Sequence, residues 1–251
     1  MGPSSLPPRP EADQGEWIDL FNGRDLDGWV PKITGYDLGE NFARTFRVED
    51  GVLQVRYDGY EQFDGRFGHL FFETPFSHYR LEVEYRFVGE QVAGGPDWAR
   101  RNSGVMLHSQ DPATMAREQD FPISVEVQFL GGLGEGPRPT GNVCTPGTDI
   151  VIDGATAADH CIESTSPTFD GDQWIRSETI VLGDSLIVHM INGETVLTYT
   201  KPTIGGGVVN RYDPAVKVDW TPLTSGFIAL QSESHPIDFR RVRLLDLTVR
   251  K

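Results

Sequence analysis

Glu126 and Gln128 alternate with Val125, Val127 and Phe129. A period of two places the carboxyl and the amide on one face of a strand and the apolar set on the other. A carboxylate beside an amide on a sheet face suits hydrogen bonding to sugar hydroxyls, and it also suits proton transfer. The plainer reading is a solvated outer face. Asn102, Gly104, Met106 and His108 alternate in the same way with Ser103, Val105 and Leu107. His108 is therefore a candidate general acid or base, since imidazole titrates nearest neutrality, although a lone strand histidine is more often structural. His189 shares a face with Ile187 and Ile191 and reads as core. Glu82, Glu84 and Arg86 share a face, which makes them polar-binding candidates or a solvated salt-bridge row. Trp174 stands at the start of a strand, where its ring either stacks on a sugar or fills the core.

Those side chains need strands to hold them. Phe46 to Val48 and Val52 to Val55 flank Asp50-Gly51 and predict a hairpin. Leu81, Val83, Tyr85 and Phe87 alternate with Glu82, Glu84 and Arg86, which predicts a half-buried strand. Further strands are expected over 104–108 and 123–129. Residues 174–182, 185–191 and 194–200, joined at Gly183-Asp184 and Asn192-Gly193, predict a three-strand meander. Two more strands are expected over 226–232 and 239–249. Pro112 to Glu118 has room for one short helical turn. Residues 131–171 read as one long irregular segment, and a loop of that length is usually functional or separately tied down. His160 and Asp153, which it carries, are therefore expected near a groove rim. At least ten strands without long helices imply two stacked sheets.

Composition agrees with that class. The 28 Gly and 17 Pro favour frequent turns, and 38% hydrophobic with 24% charged residues suits a soluble globular chain. The formal net charge of −15 comes without any Lys/Arg cluster, which argues against nucleic-acid binding. No run approaches the roughly 18 apolar residues that span a bilayer. Residues 1–15 read as a disordered tail, and 16–251 as one domain. The tail lacks the apolar stretch of a signal peptide, so an export signal is expected to have been removed or never present. Cys144 and Cys161 sit in the Gly/Pro/Thr-rich segment, a context that favours a disulfide. Closing a loop of about 17 residues contributes roughly 3 kcal/mol on the chain-entropy account and implies an oxidising, extracytoplasmic compartment, periplasmic or secreted.

Several chemistries lack their motif. His69, His108, His160 and His189 show no pair at metal-ligand spacing. Gly205-Gly206-Gly207 lacks the Lys-Ser/Thr of a phosphate loop, and no G-x-S-x-G elbow occurs.

Trp17 to Trp29, with its Leu20-Phe21-Asn22-Gly23-Arg24-Asp25-Leu26 core and Gly28-Trp29 end, resembles the opening motif of the 3-keto-disaccharide hydrolase domain family. Tyr79 to Phe87, Asn102 to Val105, Glu126-Val127-Gln128, Asn192-Gly193-Glu194 and Ile237 to Leu247 resemble further motifs in family order. The resemblance covers about 17–250. It implies a concanavalin-A-like jelly-roll β-sandwich and a carbohydrate substrate. It also implies cleavage of 3-keto-glycosides. A ketone at C3 acidifies the C2 proton, a base removes it, the group at C1 departs, and water adds to the enone. Glu126 is then the expected base and His108 the acid or relay. Asn102, Gln128 and Arg86 would orient hydroxyls or stabilise the enolate, with Glu84, Trp174, His160 and Asp153 as further binding candidates. A divalent cation is an alternative stabiliser, without assigned ligands. Ordinary two-carboxylate hydrolysis is disfavoured, because Glu126 is followed by Gln128 rather than a second acid. A non-catalytic lectin-like module is the remaining alternative. The oligomeric state is left open.

Overall fold

The structure is a computed structural model that describes residues 16–248. The expected tail over 1–15, and the end of the strand expected to reach Val249, lie outside the described residues. The strands are β1 (Trp17–Asp19), β2 (Trp29–Ile33), β3 (Phe46–Glu49), β4 (Val52–Val55), β5 (Gly68–Phe72), β6 (His78–Phe87), β7 (Asn102–Ser109), β8 (Val125–Leu130) and β9 (Asn142–Cys144). They continue with β10 (Thr148–Ile152), β11 (Ala155–Thr156), β12 (Cys161–Ile162), β13 (Ile175–Leu182), β14 (Leu186–Ile191), β15 (Glu194–Ile204), β16 (Phe227–Ser232) and β17 (Ile237–Asp246). The expected helical turn is a short 3-10 turn over Pro112–Thr114, where Asp111 accepts from the Ala113 N–H at 2.9 Å.

Two antiparallel sheets result. One has ten strands in the order β11-β10-β15-β14-β13-β6-β17-β4-β3, with β1 also on β17. The other has seven, in the order β12-β9-β8-β7-β16-β5-β2. The inward residues of both form a common core: Leu81, Val83 and Tyr85 meet Val105, Val127 and Leu230. The Tyr85 and Phe129 rings, from opposite sheets, stack at 4.1 Å between centroids. This is the all-β jelly-roll sandwich expected from the sequence. The meander forms as β13-β14-β15, and Asn192 and Gly193 both adopt positive φ (51° and 93°), as a two-residue primed turn requires.

Residues 131–171 depart from expectation. They hold four short strands, two extending each sheet. Gly, Pro and Thr break these strands into pieces of two to five residues, too short for a hydrophobic period to register. The seven-stranded sheet ends on one side at β12, which has two residues, and on the other at β2, which carries Pro31. Among the described residues no helix is long and apolar enough to cross a membrane.

Three expected binding residues belong to the ten-stranded sheet and lie on its outer face. Glu84 accepts from Arg240 at 2.6 Å and Arg241 at 3.1 Å. Arg86 donates to Asp238 at 2.9 Å, and Asp238 also takes Arg56. Trp174 is held between the Arg86 and Arg240 guanidiniums, 4.6 and 4.5 Å from its ring centre. Glu84, Arg86 and Trp174 are thus spent on a salt-bridge and cation–π lattice on the sheet opposite Glu126. The alternation of β6 is real, but the sequence does not say which sheet its polar face belongs to. His189 is core, between the Gly141 carbonyl and the Tyr199 hydroxyl, each at 2.9 Å.

Asp238 is 1% exposed and compensates two arginines. Asp238→Ala is expected to destabilise the protein by about 3 kcal/mol, the cost of leaving buried charge uncompensated. Urea denaturation measures this, and a loss below about 0.5 kcal/mol would class the lattice with ordinary surface pairs.

Candidate functional site

The seven-stranded sheet turns one face away from the core, and there β7, β8 and β16 place their second set of residues. Met106 lies opposite Glu126, and Gly104 opposite Gln128. Glu126 lies opposite Cys144, and Gln128 opposite Asn142. Leu230 pairs with Val105, which sets Gln231 beside Gly104, and Gln231 pairs with His69 on β5. A polar row therefore crosses the sheet from His69 through Gln231 to Gln128 and Asn142. Next to it runs an apolar floor of Phe71, Ala229 and Met106, covered by Met115.

Gly104 is where the two rows meet. A Cβ there would lie 2.6 Å from Glu126 Oε1 and 2.8 Å from its Cγ. The Glu126 side chain thus lies across the backbone of β7, and only glycine leaves it room. Its carboxyl enters a pocket of about 220 Å³ lined by Asn102, Gln128, Glu233, His160, Trp98 and Phe121, together with the disulfide and Val208.

Glu233 is the residue that sequence reasoning missed. It follows the last residue of β16 and continues the alternation of Ala229 and Gln231. The turn that carries it is fixed: the Tyr57 hydroxyl accepts from the Ser234 N–H at 2.8 Å and bonds the Ser232 hydroxyl at 2.8 Å. Glu126 and Glu233 are both almost fully buried, at 6% and 3% exposure. Burial pushes Glu126 up to about 8, with the Gln231 amide acting the other way. Burial and the neighbouring Glu126 charge raise Glu233 well above the usual carboxylate range. Two acids that cannot both ionise cheaply retain at least one proton between them near neutrality. The signal existed in the sequence: Gln231-Ser232-Glu233 has the same amide/acid spacing as Glu126-Val127-Gln128.

The amides around the pair are partly committed. Ser164 N–H donates to Asn142 Oδ1 at 2.9 Å, and Asn142 Nδ2 donates to Gln128 Oε1 at 3.0 Å. That chain orients the Gln128 amide so that its N–H groups remain for the pocket. Asn102 Oδ1 and Glu233 Oε2 are buried without a hydrogen-bond partner in the protein. Buried polar groups of this kind are normally satisfied, so the pocket floor is built to receive a polar ligand. Trp98 forms the outer wall at 54% exposure, backed by Phe67, whose ring is nearly parallel (11°) at 5.9 Å.

Cys144 and Cys161 form a disulfide, pairing β9 with β12 directly beside Glu126. His160 precedes this bridge. The Thr145 N–H approaches its Nδ1 at 3.3 Å, and burial lowers its pKa, so the imidazole is neutral at neutral pH. Among the described residues, Cys144, His160 and Cys161 are the one group of three metal-capable side chains whose ligand atoms converge. Both sulfurs are in the disulfide, so the cluster does not form a cation site, and the possible divalent cation gains no ligand set here.

Of the expected residues, the structure brings together Glu126, Gln128, Asn102 and His160. It separates His108, whose positive φ (48°) accompanies a bulge against β16. The bulge turns the ring inward, where Nε2 meets the Gly183 carbonyl at 3.1 Å and the ring faces Tyr79. Asp153 occupies an exposed turn between β10 and β11 and does not line the pocket.

The class defined by this architecture is the galectin-like β-sandwich with a polar pocket on one sheet face. Many solved structures share the fold, and three illustrate it. One is a candidate glycosyl hydrolase from Parabacteroides distasonis, with 19% identity over 93% of this chain and 94% of that one and a TM-score of 0.54. Another, from Bacillus subtilis, has unknown function and a galectin-like fold, with 11% identity over 92% and 94% and a TM-score of 0.54. The third is LamA E269S from Z. galactanivorans, in complex with laminaritriose and laminaritetraose, with 8% identity over 92% and 98% and a TM-score of 0.51. No curated protein matches the sequence. The family model of the 3-keto-alpha-glucoside-1,2-lyase-like domain matches residues 16–245, and the chain belongs to that family.

The raised carboxyl pair has a measurable effect on folding. Between the ordinary carboxylate pKa and about 8 the folded chain holds protons that the unfolded chain has released, so the pair lowers stability as pH rises. His69, His189 and His235, depressed by burial to about 3, 4 and 4, act oppositely, but only below their ordinary value of 6.5. Stability is therefore expected to fall between pH 6.5 and 8 in the wild type and to stay level in Glu126→Gln/Glu233→Gln. Denaturant titrations at each pH test this, and parallel curves for the two proteins would refute the shared-proton pair.

Proposed function

We propose that the protein cleaves 3-keto-glycosides by elimination across C1 and C2, followed by hydration. The observation that carries this reading is the buried Glu126–Glu233 pair at the end of an aromatic-walled pocket. The pocket, of about 220 Å³, is on the scale of a single sugar ring. In the reaction the ionised member of the pair removes the C2 proton, which the C3 ketone has acidified. The protonated member gives its proton to the glycosidic oxygen as the C1–O bond breaks. The products are the leaving alcohol and an enone. Addition of water across that enone gives the 3-keto sugar, so the net change is hydrolysis. A carboxylate of raised pKa is a stronger base than an ordinary one. Gln231, Gln128 and Asn102 supply amide groups for the enolate oxygen and the ring hydroxyls. Trp98 offers a flat face for the apolar side of the ring. Neutral His160 is placed to accept or relay a proton rather than to hold charge.

Glu233 favours a second reading, because it supplies the carboxylate that two-carboxylate hydrolysis requires. That chemistry, like the elimination, takes one ionised and one protonated member, so the pair serves either reading and the choice of substrate separates them. The disulfide supports work in an oxidising, extracytoplasmic compartment.

The test is incubation with a glycoside and its 3-keto derivative, with and without chelator. Turnover of the keto compound alone is expected. Cleavage of the parent glycoside would favour ordinary hydrolysis, and binding without turnover of either would favour a lectin-like role. Activity lost to chelator and restored by a divalent cation would move enolate stabilisation from the amides to a metal. Glu126→Gln and Glu233→Gln should each lower the rate by about 10²–10⁴-fold while sugar binding survives. In the wild type kcat/KM should rise as pH increases through the first ionisation of the pair and fall once its last proton leaves. A flat profile from pH 6 to 9 would remove the pair from the chemistry.

A further inference from the structure

His69 is a buried titratable group that the chemistry above leaves unused. It is 0% exposed, yet neither ring nitrogen has a hydrogen-bond partner in the protein. Buried polar groups are normally satisfied, so its neighbours decide which group it serves. Lys32 is its cross-strand partner on β2, but the Lys32 ammonium donates to the carbonyls of Ile33, Tyr36 and Arg117 at 3.2, 3.1 and 2.9 Å. Burial, helped by the charge of Lys32, keeps the imidazole neutral. Phe71 and Phe121 pack their rings against it, at 6.2 and 5.9 Å between centroids. Phe121 lines the pocket and His69 does not, so His69 stands behind the pocket wall.

The partner on the other side is Gln231 of β16. Directly opposed residues on one sheet face have Cβ atoms about 4.5–5.5 Å apart, within reach for an imidazole and an amide. Gln231 stands in turn beside Gly104, over which the Glu126 side chain lies. Its amide favours the ionised form of Glu126. An amide does so with its N–H turned to the carboxylate, which leaves its carbonyl facing His69. Glu233 lacks such support: its Oε2 has no partner, and the charge of Glu126 opposes its ionisation. The row resembles the Ser164–Asn142–Gln128 chain, in which one amide orients the next.

We infer that His69 is a positioning residue: its N–H holds the Gln231 carbonyl, the Gln231 N–H holds the Glu126 carboxylate, and the negative charge of the acid pair is thereby confined to Glu126. The inference rests on the reading of the pair as base and acid, and it assigns the two roles. Glu126 takes the C2 proton, and the C2–H electron pair becomes the C1–C2 double bond. The C1–O pair leaves with the glycosidic oxygen, which takes the Glu233 proton.

The first test reads ionisation without substrate. In Glu233→Gln protein Glu126 is the one acid left of the pair, and carbon-13 NMR of the glutamate carboxyls follows its titration. Adding His69→Phe keeps a ring against Phe71 and Phe121 but removes the N–H, and Glu126 is expected to become about tenfold weaker as an acid. His69→Gln, which restores an N–H donor, should recover most of that loss. Nitrogen-15 NMR of the unaltered His69 ring is a second readout. Its N–H signal should move as Glu126 titrates and cease to move once Gln231→Leu breaks the chain. An unchanged or stronger Glu126 acid in His69→Phe overturns the inference, as does a static imidazole signal. The second test compares methyl and p-nitrophenyl 3-keto-glucosides, since the aryl group departs without protonation. The rate loss from Glu233→Gln should shrink at least tenfold on the aryl compound, while Glu126→Gln loses as much on both. Any other pattern overturns the role assignment. A titration that responds to His69, in a wild type that cleaves neither compound, defeats the cleavage reading alone. Cleavage with an unresponsive titration defeats the inference alone.

Discussion

The site depends on the two-residue alternation that three adjacent strands keep up to the bulge at His108. On β7, β8 and β16 one set of side chains closes the sandwich core, which leaves the other set to build a second, smaller interior on the opposite face. Because the three strands are paired in fixed register, Gly104, Glu126 and Gln231 meet without any loop having to find them. A slip of one residue would exchange the two faces and put both acids in the apolar core. The hydrophobic packing that makes the fold therefore also sets the position of the chemistry.

Burial then gives these residues their character. Glu126 and Glu233 would be unremarkable acids on an open sheet face. They are not exposed because Trp98, Phe121 and the disulfide-bound β9 and β12 rise around them. Removing water raises both pKa values, and the charge of Glu126 raises that of Glu233 further. The outer face of the ten-stranded sheet shows the opposite solution. There each buried acid faces one or more arginines, so charge is compensated and the residues are structural.

The contrast explains what was legible in the sequence. Strand periodicity identified Glu126 and Gln128 and the face they share, because alternation is a local property. The same periodicity also selected Glu84 and Arg86, since nothing local distinguishes a polar face lined with counter-charges from one enclosing a pocket. His108 followed the pattern until a bulge reversed its side, and a bulge depends on the pairing strand rather than on the residue's own neighbours. Glu233 lay one residue past the strand boundary expected from composition. It meets Glu126 only because β16 pairs with β7, a contact across more than a hundred residues. Trp98 sits in a short turn with no period at all.

The margins of the seven-stranded sheet have a consequence of their own. An open sheet edge offers unpaired backbone groups to any passing strand and so invites aggregation. Here one edge is β12, only two residues long and covalently clasped to β9. The other is β2, where Pro31 removes one N–H from the row. On the ten-stranded sheet, β11 is equally short. These three margins present little template for strand addition.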